Sequence, residues 1–299
     1  MAALKEVKDR ISSVKNTRKI TSAMKMIASS KLRKSQQAIT SFLPYSTKLS
    51  EILINLLASD NSLDSPYAQE REVKKVAIVA FTSNSSLAGA FNSNILKELA
   101  ATVTKYEQTL NRDDITIYPI GKKVLDYTKK RNLNFVDNPH FIEVADKPSF
   151  PMIAELSEEL INKFLSHEVD EIVLIYTHFH SMGVQKVTKS EYLPFDLKSV
   201  QEKSENDSSK KVMTDYILEP GQVELLEQLI PKVLGSNLFA ALLDSNASEN
   251  AARSLAMQIA TDNATELIGD LTIEYNKSRQ GAITNELLDI IGGASALSQ

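Results

Sequence analysis

The sequence predicts an α/β domain plus long α-helices: an antiparallel coiled coil of N- and C-terminal helices with a central Rossmann-like α/β domain. Three observations predict it. Both ends carry apolar residues in steps of three and four, the seam of a coiled coil. The middle alternates β-branched runs with helical spacing, the pattern of an α/β layer domain. The charge is also split. Residues 1–34 hold ten Lys or Arg against Glu6 and Asp9, a net +8 in a chain whose total is −4.

The 299 residues are 42% hydrophobic and 24% charged, the composition of a folded chain with one sizeable core and extended elements. Cysteine and tryptophan are absent, which excludes disulfides and Cys-ligated metals and fits a reducing compartment. No apolar run has the length of a membrane span, and the charged N-terminus does not read as a secretory signal.

The first domain is predicted over residues 1–58. Leu4, Val7, Ile11, Val14, Thr21, Met24, Ala28, Leu32, Ser35, Ala38, Phe42, Tyr45, Leu49, Ile52 and Leu56 keep the three-four rhythm, so residues 2–57 read as one helix of about 85 Å. Pro44 is expected to kink it. Ser59-Asp60-Asn61-Ser62 and Ser65-Pro66 are expected to end it.

The α/β domain is predicted over 73–215. Val73–Phe81 reads as a buried strand, Asn94–Tyr106 as a helix, and Ile115–Ile120 as a second strand. Gly121 opens a short helix to Lys130. Phe150–Leu165 reads as a helix and Glu171–Tyr176 as a third strand. Val184–Leu193 alternates as a partner strand beyond Met182-Gly183, and the Ser-rich span 199–212 reads as an exposed loop.

The third domain is predicted over 221–299, with residues 222–297 as a single helix of about 110 Å. Its seam reads Leu255, Ile259, Ala264, Ile268, Leu271, Tyr275, Ile283, Leu287, Ile290, Ala294 and Leu297. Gly235, Gly269 and Gly281 each cost up to about 1 kcal/mol in a helix interior, so outside contacts must hold it. Two helices meeting one domain at residues 57 and 221 must run antiparallel. Counting from the domain sets residue 1 level with residue 277. Residues 278–297 then project by roughly 30 Å. That overhang holds Ile283, Leu287, Leu288, Ile290 and Ile291, and needs a sleeve from other chains. Asn276-Lys277-Ser278-Arg279-Gln280 at its base is a polar collar suited to a partner's hydrogen-bonding groups.

Candidate chemistry is sparse. Thr82–Phe91 follows a strand and precedes a helix, where a nucleotide domain keeps its phosphate loop, but it has one glycine and neither phosphate-loop motif. His178 and His180 at i, i+2 could share a metal, yet no third ligand is suitably spaced, so a solvated surface pair outweighs a metal site. Asp262, Glu266 and Asp270 form a carboxylate stripe of the solvated or partner-facing kind. No nucleophile, general base or cofactor motif stands out, so neither an enzyme nor a bound cofactor or metal is expected. The basic segment, with Lys8, Arg10, Lys15 and Lys19, reads as a docking face for an acidic protein. The alternative, a basic coiled-coil nucleic-acid-binding protein, lacks aromatics in that segment and any base-reading motif.

Ala3–Ile11, Ser13–Thr21, Ala23–Met26 and Lys31–Lys34 resemble the N-terminal helix of the gamma subunits of F-type ATP synthases. Ala251-Ala252-Arg253, Ala256-Met257, Ala260–Ala264 and Tyr275–Thr284 resemble their C-terminal helix, and Leu87–Ile95 is loosely similar to the family's Leu-Cys-Gly-x-Phe-Asn stretch. The resemblance implies a rotating central shaft inside a ring of three alpha and three beta subunits. The α/β domain would sit on the membrane c-ring beside epsilon, peripheral to the cytoplasmic face of the cell inner membrane. Proton flow would turn the shaft, which drives the beta subunits through their nucleotide states. The shaft itself binds neither nucleotide nor nucleic acid. The resemblance also implies that Met24 and Lys25 lie near an acidic segment of beta. It places Arg253, Arg279, Gln280 and Thr284 where the shaft hydrogen-bonds a beta loop. Ala88 stands in place of the usual Cys, Asn84-Ser85-Ser86 in place of Asp-Arg-Gly, and Gly281 in place of Ala. The cysteine insert of chloroplast members is absent, so thiol control is not expected.

Overall fold

The computed structural model describes residues 2–58, 66–69, 71–195 and 221–297. The expected helix-ending signals at 59–62 and 65 and the expected loop 199–212 lie outside the described residues. The chain divides into two compact units, Met1–Ser29 with Arg253–Gln299, and Ser30–Ala252. Two long helices contribute to both: α1, Ala2–Ala58, and α6, Gln222–Leu297. Neither Pro44 nor Pro231 ends its helix, and α6 continues through Gly235, Gly269 and Gly281.

In the unit Ser30–Ala252 the sheet has the order β2-β1-β3-β4, with β1 Val76–Phe81, β2 Ile115–Ile120, β3 Glu171–Phe179 and β4 Gln185–Leu193. β1 runs parallel to β2 and β3, and β4 closes the sheet antiparallel to β3. Helices α2 Phe91–Tyr106, α3 Lys122–Arg131, α4 His140–Asp146 and α5 Phe150–Leu165 cover it. Successive strand side chains point to opposite faces. Val76, Ile78 and Ala80 thus join Ile95, Leu99, Ile117 and Val173 in one core. Ala77, Val79 and Phe81 join α4, α5, the end of α1 and the start of α6 in the other, through Phe141, Leu160, Leu53 and Leu234.

Element ends differ from expectation for local reasons. β1 starts at Val76 rather than Val73, because the Lys74 and Lys75 amides donate to Asp170 Oδ2 (2.9 and 3.0 Å) instead of to a strand. β3 runs on to Phe179 because Thr177, His178 and Phe179 pair with Val187, Lys186 and Gln185. α2 begins at Phe91, three residues early. α4 was not expected; it is one short helix entered from Pro139, too brief to show a period. Within this unit Ala38 and Tyr45 are exposed, and Ile39 and Ser46 take the places on α1 that the sequence assigned to them.

In the other unit, α1 and α6 pair. Along the seam the buried or half-buried positions on α1 are Leu4, Val7, Ile11, Val14, Arg18, Thr21, Lys25 and Ala28, with Ser22, Met24 and Ser29 half-buried beside it. On α6 they are Ser254, Met257, Thr261, Ala264, Ile268, Leu271, Tyr275, Ser278 and Ala282. Leu255 is half-buried, but Ile259, expected in the seam, is 51% exposed. The true seam takes Ser254 and Thr261 because each meets a hydroxyl across the pair: Ser29–Ser254 at 2.8 Å and Thr21–Thr261 at 2.8 Å. A polar pair satisfied in this way is invisible to an apolar period. The same bonds correct the register. From Thr21 opposite Thr261, one step along α1 per step back along α6 brings Ala2 level with Gln280; from Ser29 opposite Ser254 it comes level with Gly281. The overhang therefore begins at about Gly281 rather than 278.

Candidate partner-binding interface

Every residue proposed for partner contact falls in the unit formed by Met1–Ser29 and Arg253–Gln299. Lys8, Lys15 and Lys19 are exposed, and steps of seven and four bring them onto one face of α1. Arg10 is exposed too, but two residues on from Lys8 is about 200° around the helix, so it does not join them. Met24 and Lys25 are half-buried, Lys25 on the seam side. Ile20, Met26 and Ile27 are 59–64% exposed beside them, an apolar patch that the charge pattern concealed.

On α6, Arg253 is half-buried and already has an interaction of its own. Arg279, Gln280 and Thr284 are exposed. Thr284 Oγ1 donates to the Gln280 backbone carbonyl at 2.9 Å, a bond that does not engage the side chains of Arg279 and Gln280. Among the described residues Arg279 has no carboxylate at ion-pair distance. Beyond the collar, Ile283, Leu287, Leu288, Ile290 and Ile291 are 49–66% exposed. Asp262, Glu266 and Asp270 are exposed, and Gln258 Nε2 donates to both oxygens of Asp262 (2.7 and 2.8 Å).

The other candidates sit in the unit Ser30–Ala252. In the candidate phosphate loop Thr82–Phe91, Ser83 N donates to Asn92 Oδ1 (3.0 Å) and Phe91 N to Ala88 O (3.2 Å), and the loop's own side chains are turned to α3, with Lys122 N donating to Asn84 Oδ1 (2.9 Å) and Val124 N to Thr82 Oγ1 (3.0 Å). His178 and His180 do not act as a pair; His178 Nδ1 lies 2.6 Å from Asp244 Oδ2 of α6. Among the described residues no cluster of three or more His, Asp or Glu could hold a metal. No helix among them is long and apolar enough to cross a membrane.

An antiparallel pair of terminal helices with exposed basic and apolar surface, and an α/β domain between them in sequence, defines a coiled-coil protein of the kind that serves as a subunit of a larger complex. The family model described as ATP synthase matches residues 3–297. The chain is 55% identical over 296 residues to the ATP synthase gamma chain of Bacteroides fragilis, spanning 99% of this chain and 100% of that one. It is 54% identical to the gamma chain of Bacteroides thetaiotaomicron (98% and 99% covered) and 44% identical to that of Flavobacterium johnsoniae (100% of each). This chain belongs to the ATP synthase gamma chain family. Its fold is similar to the rotor of the Euglena gracilis mitochondrial ATP synthase, with a TM-score of 0.63 at 21% identity over 94% of this chain and 99% of that one. It is likewise similar to a chain of that enzyme's OSCP/F1/c-ring structure, with a TM-score of 0.65 at 21% identity over 99% and 95%.

Proposed function

We propose that this chain is the central-stalk rotor of a proton-translocating ATP synthase. It couples ion flow through a membrane c-ring to conformational change at the catalytic sites of beta subunits. It is a mechanical subunit, and the chemistry of ATP belongs to its partners. The observation that carries the reading is the stretch Ile283–Ile291: five large apolar side chains share one broad face of the helix, opposite Asn285, Glu286 and Asp289, and are exposed with no partner helix beside them among the described residues. Such a surface is stable only inside a sleeve. Three alpha and three beta subunits would supply it. The loops of beta would meet Met24, Lys25, Arg253, Arg279, Gln280 and Thr284, and an acidic surface would meet Lys8, Lys15 and Lys19. Residues 1–58 and 221–299 are the shaft in this reading. The α/β domain, 73–215, is the foot that meets epsilon and the c-ring. The chain then lies peripherally at the cytoplasmic face of the inner membrane.

A pull-down of the tagged chain from solubilised membranes tests this. Alpha and beta subunits should be recovered in equal amounts and in about threefold excess over the tagged chain. Recovery of neither, or salt-sensitive capture of DNA instead, would sink the rotor reading.

A further inference from the structure

Residues 244–250 of α6 read Asp-Ser-Asn-Ala-Ser-Glu-Asn, a polar run, yet Ser245, Ala247, Ser248, Glu249 and Asn250 are all buried. A helix enclosed on nearly every side is normally apolar. Here the polar groups reach three other elements of the same unit. Asn246 Oδ1 accepts from Ser35 Oγ of α1 at 2.7 Å, and Asn246 Nδ2 donates to the Ala145 carbonyl of α4 at 2.9 Å. Asn250 Nδ2 donates to the Asn246 carbonyl (2.8 Å) and lies 3.2 Å from Asn246 Oδ1, which holds that amide in place. Ser248 Oγ donates to the Thr177 carbonyl of β3 at 3.0 Å. One residue on, His178 hydrogen-bonds Asp244 at 2.6 Å.

The apolar packing at this level is slight: Ala247 and Ala251 against Leu32, with Ile39 and Phe179 alongside. Apolar contact is non-directional, and small side chains present no ridge that resists a turn of the helix about its axis. Hydrogen bonds weaken steeply off their preferred angle. Toward the start of α6, Leu234, Leu238 and Leu242 pack into the core; beyond them, at residues 244–250, the rotational setting of α6 against α1, α4 and β3 is fixed by the polar groups.

We propose that residues 244–250 form a torsion joint. Asp244, Asn246 and Ser248, with His178 opposite, are positioning residues that pass torque between α6 and the α/β domain instead of letting the helix twist. The bonds stand on geometry alone; their mechanical role rests on the rotor reading above.

The test uses the assembled ATP synthase containing the full-length chain, in membrane vesicles, and measures ATP hydrolysis and ATP-driven proton pumping on one preparation. Asn246→Ala with Ser248→Ala, and separately His178→Ala, should lower protons pumped per ATP several-fold while hydrolysis continues. His178→Lys keeps a donor against Asp244 and should retain the wild-type ratio. His178 is partly exposed, so its variants keep the test open even where the double variant does not assemble. A ratio unchanged in the His178→Ala complex overturns the joint. So does a fall in pumping matched by equal losses of hydrolysis and of assembled complex, which marks a merely structural role. A wild-type complex that holds this chain and does not pump refutes the rotor reading itself.

Discussion

A Cβ added at Gly121 would stand 2.2 Å from the Thr82 carbonyl oxygen, and the residue's φ of 102° is one that other residues rarely adopt. Gly121→Ala should therefore destabilise the α/β domain by about 1–3 kcal/mol. The reading is a lower urea midpoint with an unchanged slope, and an unmoved midpoint would mean that the loop after β1 yields freely. At the collar, Arg279 offers a planar five-donor fork and Gln280 both donates and accepts. The nearest acids along the helix, Glu274 and Glu286, are five and seven residues away, off the spacing that makes helical pairs. A hydrogen bond from the Arg279 guanidinium to an acceptor on beta would contribute roughly 1.5–3 kcal/mol. In a turning shaft it forms at one angle and breaks at the next. Arg279→Ala with Gln280→Ala should leave a complex with normal subunit ratios on a gel but lower rates of hydrolysis and of pumping. Unchanged rates would return these side chains to plain solvent.

At the scale of the element, the three lysines on one face of α1 make a salt-dependent prediction. Lys8→Glu with Lys15→Glu and Lys19→Glu should slow assembly, and the defect should change with added salt, since exposed charges are screened over about 8–10 Å. Assembly at the wild-type rate in low salt would show a solvated face. The sheet and its flanking helices predict sensitivity to alkali. Burial first, then the hydrogen bond and charge of Glu171, hold the Tyr106 phenol well above its ordinary value; burial does the same for Tyr192. These groups are raised in the folded state. Their contribution is therefore full below the unfolded value near 10 and is lost as pH climbs above it. Thermal scans from pH 9 to 11 should show a falling midpoint, and Tyr106→Phe should flatten the fall; parallel curves would count against it. Which elements were legible follows the same physics. β2 and α5 could be read to the residue because an apolar run with Pro at its start or polar turns at its ends has one solution. The seam between Ser254 and Thr261 could not, because hydroxyls paired across two helices look like surface. Asn246 and Ser248 were missed for the same reason. Lys8, Lys15 and Lys19 were legible as a face from spacing alone, and Arg10 was grouped with them by charge rather than by angle.

For the whole molecule, the register of α1 against α6 decides how much surface the chain leaves for others. With Ala2 level with Gln280 or Gly281, α6 continues from there without a neighbour among the described residues, and five large apolar side chains between Ile283 and Ile291 are exposed. One exposed apolar residue is ordinary; five in nine positions on an unpaired helix make an aggregating surface unless it is covered. The paired stretch is less demanding, since hydroxyl pairs and half-buried positions keep it tolerable in water. This partition predicts opposite effects from one truncation. A chain ending after Gly281 keeps the paired helices and the α/β domain and loses the overhang. In isolation it should scatter less light than the full chain at equal concentration. Mixed with alpha and beta subunits, it should recover less of both in a pull-down, because the sleeve has lost what it encloses. Circular dichroism should still report paired helices. Aggregation equal to that of the full chain would put the exposed liability elsewhere, at Ile20, Met26 and Ile27 on α1, where substitution by Ser or Gln would then be the next measurement.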